Sequence, residues 1–372
     1  MSQRRDRQPS PQIADRLRAC RTKITQKALD GYLVTNRTDQ YYLTDFNGED
    51  GAALILRKRV VLLTDGRFAE EAARFAPWAT AVVRTVSLSE ALGRLARRHR
   101  PGRIGFDPGR ITVKLHTAVR RAVRPAKLVA VPGLVEGLRL IKDATEVAAL
   151  TRAVRIAESA FKSVIGRLRL GTTERQLAAA LQHEMIRRGA SEASFPIVVA
   201  EGARSSLPHA VPGDRRIRAG SAVLIDWGAV VGGYCSDLTR VVFVHRIPPR
   251  FRRMYENVYA AQAEAIQAIR PGVRMCDVDA RARRRLERAS LGRRFSHGLG
   301  HGIGLDVHEA PRLAKRVIEP LEAGMVVTVE PGVYLPDVGG VRIEDDVLVT
   351  RSGCRVLSRL PKDLGSMVIK RG

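Results

Sequence analysis

The chain has 372 residues, 45% of them hydrophobic, which is too long for one typical core and too apolar for a fibrous or wholly disordered chain. No apolar run reaches the roughly 18 residues needed to cross a bilayer, so no membrane-spanning helix is expected. The formal net charge is +26, and only 10 of the 64 basic residues are lysine; with no long basic run and 5% aromatic residues, that charge implies non-specific attraction to nucleic acid and other polyanions rather than a dedicated nucleic-acid role.

The N-terminus, "MSQRRDRQPSPQ", lacks the apolar segment of a secretory signal, and residues 1–14 are expected to form a disordered basic tail. Residues 16–30 carry helical apolar spacing, with Gly31 as a stop. Short β-like runs follow ("GYLVT", "YYLTDF", "AALILR", "VVLLTD") and then alternate with helical stretches. This alternation predicts a small α/β layer domain over residues 15–132. "VPG" at 131–133 punctuates the chain, and residues 133–372 form the second domain. There the spacing predicts a helix from Asp143 to Leu170, capped by Asp143 or Thr145, and another over 173–188, started by Thr172 or Thr173. Strands dominate from 194, interrupted by helices near 249–270 and 276–290. Cys20, Cys235, Cys276 and Cys354 show no paired spacing and read as reduced thiols of a cytoplasmic protein.

The chemistry concentrates in the second domain. "VLIDWGAVVGGYCSDLTRVVFV" reads as a hairpin with Asp226 and Asp237 on opposite arms and Gly232-Gly233 at the turn. "MVVTVEPGVYLPDVGGVRIEDDVLVT" repeats the arrangement with Glu330 and Glu344. Taken singly, each hairpin reads as a salt bridge or a solvated strand end. Carboxylates at the ends of apolar runs are costly unless paired, protonated or bound to metal. Between the hairpins lies "SHGLGHGIGLDVHE", with three histidines among glycines. Oxygen-rich sites with an imidazole suit manganese, cobalt, iron or zinc.

These motifs resemble the Xaa-Pro aminopeptidase and prolidase branch of the pita-bread metallopeptidases. In order, "IDWG" (Asp226), "SDLTR" (Asp237), "GHGIGLDVHE" (His301), "TVEPGVY" (Glu330) and "RIEDD" (Glu344) match that family's five metal ligands. The likeness extends to "SFPIVVAEGARSSLPHAVPGD", "EGLRLIKDATEVAAL" and "TDGRFAEEA", and so covers nearly everything after the tail. The resemblance implies an α+β chain: a C-terminal pita-bread (creatinase/aminopeptidase) fold preceded by a smaller α/β creatinase-type N-terminal domain. It implies two divalent metal ions, manganese first, with cobalt, zinc or iron as alternatives. Asp226 would chelate one ion, Asp237 and Glu344 would bridge both, and His301 and Glu330 would complete the other. A bridging hydroxide would attack the scissile carbonyl, with Glu330 shuttling the proton to the leaving nitrogen. His209 and His308 would steady the oxyanion or the leaving group. His297 would line the substrate site or support it structurally, and the glycines would let backbone pass close to the metals.

Arg342 lies two residues before Glu344 and is expected to orient carboxylates, against the alternative of a surface arginine. Cys235 and Trp227 are expected to be packed, and Glu309, Asp345 and Asp346 to support the ligands or be solvated. The implied activity is removal of an N-terminal residue before proline by a cytoplasmic homodimer acting on peptides. The alternatives are a prolidase restricted to Xaa-Pro dipeptides and a non-catalytic pita-bread binding protein contacting nucleic acid or acidic partners. The N-terminal domain argues against a methionine aminopeptidase, and the five intact ligands argue against a creatinase-like hydrolase.

Overall fold

A computed structural model describes residues 8–370. It divides into two compact units, Met1–Arg139 and Leu140–Gly372, so the division falls after Arg139 rather than after Pro132. Residues 1–7 of the expected tail lie outside the described residues. From Pro11 the chain is helix, not tail: Ser10 accepts from the amide of Ile13, and proline opens the first turn. This helix, α1 (Pro11–Gln26), buries Ile13, Leu17, Cys20 and Ile24 along one stripe. Burial pushes the Cys20 thiol up to about 12, which leaves it protonated and inert.

In the N-terminal unit β1 (Gly31–Val34), α2 (Arg37–Thr44), β2 (Gly51–Leu56), β3 (Val60–Thr64), α3 (Ala69–Phe75) and β4 (Thr80–Val83) follow α1. Then come α4 (Leu88–His99), β5 (Arg103–Phe106), α5 (Val113–Ala122), β6 (Lys127–Ala130) and the short α6 (Glu136–Arg139). The strands form one sheet in the order β4-β3-β2-β1-β5-β6. β2 runs antiparallel to β1 and β3, and the other pairings are parallel. β3 is buried along its whole length and the inner residues of β2 are buried, so these runs read as continuously apolar rather than alternating.

The second unit opens with α7 (Ala144–Ile165) and α8 (Glu174–Arg187). Both carry capping boxes, Asp143 with Glu146 and Thr173 with Gln176. Gly166 ends α7 before the expected Leu170. One sheet holds β8 (Val198–Glu201), β9 (Ala222–Trp227), β12 (Leu238–Val244) and β20 (Val368–Ile369). β7 (Glu192–Ala193), β10 (Ala229–Val231) and β11 (Tyr234–Cys235) form a small second sheet. After α9 (Pro249–Ala268) and α10 (Met275–Arg288), a third sheet joins β13 (Gly300–Gly302), β14 (Glu309–Leu313), β15 (Val326–Val329), β18 (Asp345–Val349) and β19 (Cys354–Val356). β16 (Gly332–Leu335) and β17 (Gly339–Arg342) pair alone. Trp227 is fully buried, stacks on Phe161 at 4.4 Å, and donates its indole N–H to the Ala157 carbonyl at 3.0 Å.

Neither expected hairpin is one continuous ladder. β9 and β12 pair Asp226 with Thr239 and Trp227 with Leu238. The ladder then breaks, and β10–β11 form the tip, where Gly232 and Gly233 have φ of 58° and 80°. Asp237 therefore lies just past the end of the ladder. Likewise β15 and β18 pair Val329 with Asp345, which leaves Glu330 and Glu344 beyond the ladder as the chain turns into β16–β17. The two breaks free Asp237, Glu330 and Glu344 from regular strand geometry, Asp226 stays within the β9–β12 ladder, and the flanking strands fix all four backbones.

Candidate metal centre

All nine residues singled out by motif, His209, Asp226, Asp237, His297, His301, His308, Glu330, Arg342 and Glu344, line one cavity of about 720 Å³ in the second unit. Asp237, His301 and Glu344 offer ligand atoms within 4.8 Å of one another. Phe195, Pro196, Ile197, Pro208 and Pro212 provide an apolar wall.

His301 sits on β13 between Gly300 and Gly302. A Cβ on Gly300 would lie 2.0 Å from the Thr328 carbonyl oxygen, and one on Gly302 2.1 Å from that of Ala310. These glycines bring β13 against its neighbouring chain segments. His301 Nδ1 is 3.1 Å from the Gly302 carbonyl, which only accepts, so Nδ1 carries the proton. Nε2 then faces two acceptors, Glu330 Oε1 at 3.3 Å and Asp237 Oδ2 at 3.7 Å. A lone pair aimed at two carboxylates requires a proton or a cation between them.

The carboxylates repeat the argument. Asp237 and Glu344 have pKa values pushed well above the carboxylate range, first by burial and then by neighbouring carboxylates. Asp226 is raised by burial against the opposing pull of Arg342. Burial also works to raise Glu330, but the hydrogen bond and charge of His301 bring it below its usual value. Burial works to lower His301, but the bond and charge of Glu330, with the Gly302 carbonyl and the charge of Asp346, together bring it above its usual value. Asp226 Oδ1 is buried without a hydrogen-bond partner. Clustered carboxylates that resist ionisation, an orphaned oxygen and an imidazole nitrogen with no donor to meet it are the chemistry of a divalent-cation site, and the residues present fit one.

A layer of polar groups aims these side chains. Arg342 is 3% exposed, not a surface arginine. It donates to Asp226 Oδ2 at 2.5 Å, to the Tyr334 hydroxyl at 2.6 Å and to Thr239 Oγ1 at 3.1 Å. Thr239 in turn donates to Glu344 Oε2 at 2.6 Å. His297 Nδ1 meets the Gly298 carbonyl at 2.8 Å, so its Nε2 accepts from Tyr334 at 3.0 Å. This imidazole is engaged by the scaffold on both nitrogens. His308 lies at the mouth with its ring 4.2 Å from that of His301, and His209 is likewise exposed. Burial and the charge of His301 both hold His308 below its ordinary pKa, which favours the neutral imidazole.

The acidic residues beside the motifs are buried rather than solvated. Asp345 pairs with Arg240 at 2.7 Å and with Lys362. Asp346 accepts from the Asp237 amide at 3.1 Å, and burial pushes its pKa up to about 8. Glu309 pairs with buried Lys142 at 2.8 Å. Cys235 is buried, with Sγ 3.9 Å from the Leu305 carbonyl, and is not among the lining residues. Sequence reasoning missed Arg312 and Tyr334. Tyr334 lies four residues after Glu330, inside the run "TVEPGVY" that carried the resemblance. Arg312 faces His301 across the β13–β14 register and lines the cavity with an exposed guanidinium.

Residues 148–351 match metallopeptidase family M24, and residues 16–141 match the creatinase/prolidase N-terminal domain. An uncharacterized peptidase of Bacillus subtilis is 37% identical over 94% of this chain and 99% of its own length. A solved Xaa-Pro dipeptidase from Bacillus anthracis is 36% identical, with a TM-score of 0.92 over 96% of this chain and 100% of that one. The solved X-Pro aminopeptidase from Thermotoga maritima is 31% identical, with a TM-score of 0.87 over 92% and 98%. Geometry and likeness agree: the chain belongs to metallopeptidase family M24, an α+β enzyme with a pita-bread catalytic domain and a creatinase-type N-terminal domain.

Proposed function

We propose that this metallopeptidase is an aminopeptidase that releases the N-terminal residue from peptides with proline at the second position. The observation that carries the reading is the single cavity that joins the carboxylate–histidine cluster to an apolar wall. That wall suits a pyrrolidine ring. The solved relatives named for Xaa-Pro and X-Pro substrates support the proline preference.

Asp226, Asp237, His301, Glu330 and Glu344 would hold two divalent ions, manganese first, with cobalt, zinc or iron as alternatives. Bound there, the ions supply Lewis-acid polarisation of the scissile carbonyl and acidify water. Glu330 accepts the proton of the attacking water and returns it to the leaving nitrogen. His209 and His308, exposed at the mouth, donate to the developing oxyanion or the leaving group. Arg342 fixes Asp226 directly and Glu344 through Thr239. We further place the protein in the cytoplasm as a homodimer, on the four unpaired cysteines and the family likeness.

One observation favours a second reading, a dipeptidase. The Arg312 guanidinium at the cavity wall has no ion-pair partner among the described residues and would meet the free carboxylate of an Xaa-Pro dipeptide. Metal-stripped protein resupplied with manganese, cobalt or zinc, assayed on Ala-Pro, Ala-Pro-Ala and Ala-Ala-Ala, separates the two. Cleavage of Ala-Pro-Ala before proline, lost in His301→Ala, supports the aminopeptidase. Cleavage of Ala-Pro alone, weakened in Arg312→Ala mainly through KM, supports the dipeptidase. Inactivity on all three with every metal removes both.

A further inference from the structure

The N-terminal unit is electrically polar along its strands, and the polarity is not a matter of composition alone. Residues 94–127 contain eleven arginines and lysines against one acidic residue, Asp107. Strand direction decides where those charges go. β1, β5 and β6 are parallel, with Gly31 opposite Ile104 and Arg103 opposite Lys127. β2 ends where β1 begins, Leu56 opposite Gly31, so the β2–β3 turn lies at the same end of the sheet. α1, α4 and α5 each precede one of these parallel strands, so each helix finishes at that end.

One end of the unit therefore collects Lys27 after α1, then Arg57, Lys58 and Arg59 in the β2–β3 turn. It collects Arg97, Arg98 and Arg100 from α4, and Arg120, Arg121 and Arg124 from α5. Arg103 and Lys127 start adjacent strands, like charge beside like charge. All of these are exposed. Arg59 and Arg98 both depress the pKa of His99, after burial, which places turn and helix together. Gly93 has room for no Cβ against the Ala122 carbonyl, 2.7 Å away, which locks α4 to α5. Among the described residues Asp30 is the one carboxylate at this end. It is already engaged by Arg57 at 3.3 Å and by the amides of Gly102 and Arg103.

The carboxylates lie at the other end. Glu49 and Asp50 precede β2, Asp65 follows β3, Glu70 and Glu71 open α3, and Glu90 opens α4. Cations at helix C-termini answer the helix dipole. That accounts for the charges on α4 and α5 but not for the turn residues Arg57, Lys58 and Arg59 or the strand starts Arg103 and Lys127. The second unit supplies the contrast. Around α10 three arginines are paired, Arg274 with Asp277, Arg283 with Asp279 and Arg285 with Glu264, and the exposed Arg281, Arg284 and Arg288 sit on one helix rather than converging from several elements.

We propose that this cationic end of the N-terminal unit is a docking surface for the phosphate backbone of nucleic acid, read without base specificity. Guanidinium forks suit phosphate oxygens. From the β2–β3 turn to β6 the cations span four to five strands, about 20 Å at ~4.8 Å per strand, enough to meet several phosphates of a duplex spaced at ~1.7 Å along its axis. The large exposed apolar side chain near this end is Phe75, 45% exposed and covered by Arg74 at 5.6 Å. That is little with which to anchor in a bilayer.

The test is fluorescence anisotropy of a labelled 20-base-pair DNA of mixed sequence with the full chain, across a salt series. The variants are R98E/R121E/R124E at the cationic end and R281E/R284E/R288E on α10, which change net charge equally. The first is expected to weaken binding at least about thirty-fold and to flatten the salt dependence by two to three phosphate contacts. The second is expected to change binding no more than about three-fold. R98Q/R121Q/R124Q, which avoids acids at helix ends, is expected to fall between wild type and the glutamate variant. Unchanged peptidase turnover and melting temperature in all three would report intact folding. Equal losses in the two charge-reversed variants would overturn the proposal in favour of net charge. Binding to vesicles of anionic lipid that is tighter than binding to the DNA, and competes with it, would overturn it in favour of a membrane. A wild-type Kd weaker than about 10⁻⁴ M at physiological salt would leave no docking surface to assign.

Discussion

The two units handle charge in opposite ways. The N-terminal unit keeps most of its ions in water and sorts them by strand direction, so its electrostatics are long-ranged and screened by salt. The M24 unit takes its decisive ions out of water. Asp237, Glu344, Asp345, Asp346, Arg240 and Arg342 are all buried. There each charge has a specific partner or a pKa displaced by the lack of one. The contrast teaches that arginine content says little by itself: the residue left exposed at one end of the first unit clamps a carboxylate, Asp226, in the other. Burial and partner set its role.

The sharpest way to break the comparison is to remove one side chain from the centre of the site. His301→Ala deletes the nitrogen that faces Glu330 and Asp237. Peptidase turnover is expected to fall by at least about 10³-fold, and calorimetric titration with manganese is expected to show one fewer tight site. Next comes Arg240→Met. This fully buried arginine donates to the Glu344 carbonyl at 2.6 Å and pairs with Asp345 at 2.7 Å. Breaking a buried pair from one side costs about 3–5 kcal/mol, whereas reversing an exposed arginine such as Arg98 is expected to cost within about 0.5 kcal/mol. Urea denaturation of both variants measures the ratio. Similar losses would erase the distinction between the units.

The buried carboxylates also give a pH signature. Asp346 has a pKa near 8 when folded, against an ordinary value of 3.8, and Asp237 and Glu344 are raised as well. A raised folded pKa means that the folded state holds more protons than the unfolded chain. Its contribution is complete below the unfolded value and is lost as pH rises through the folded one. Metal-stripped protein is therefore expected to melt at higher temperature near pH 5 than near pH 8. Saturating manganese should flatten or invert that slope, because cations replace the protons. A metal-stripped protein most stable at pH 8 would show that the carboxylates are already ionised and paired.

What the sequence disclosed follows from the range of each interaction. The four carboxylates were legible as misfits because each stands beside a turn or at the end of an apolar run, visible within a few residues, whereas their reading as metal ligands together with His301 came from the resemblance. The caps at Asp143 and Thr173 were legible for the same reason. Ser10 before Pro11 carried an equally local cap signal, which the charged residues ahead of it masked. Arg312 was not legible: it stands opposite His301 only through a bulged register. Arg240 and Asp345 meet across 105 residues. The cationic end of the first unit was hidden for a related reason. Arg57, Arg98 and Arg124 are far apart in the chain, and only strand order and direction bring them to one end.

The smallest effect tests whether local rules hold equally in both units. Asp143 accepts from the amides of Thr145 and Glu146, and Glu146 returns a bond to the Asp143 amide. Ser10 caps α1 with one bond of 3.4 Å to Ile13. An N-cap side chain contributes about 1 kcal/mol, with the spread set by how many amides it satisfies and how well. Asp143→Ala is therefore expected to cost about 1–2 kcal/mol and Ser10→Ala about 0.5 kcal/mol. Both variants should leave DNA binding and KM unchanged. Equal costs would mean that cap geometry is immaterial here. A KM change in Asp143→Ala alone would mean that the α7 entry is coupled to the cavity, and the buried Lys142–Glu309 pair, next to both Asp143 and His308 in the chain, is the contact through which it would act.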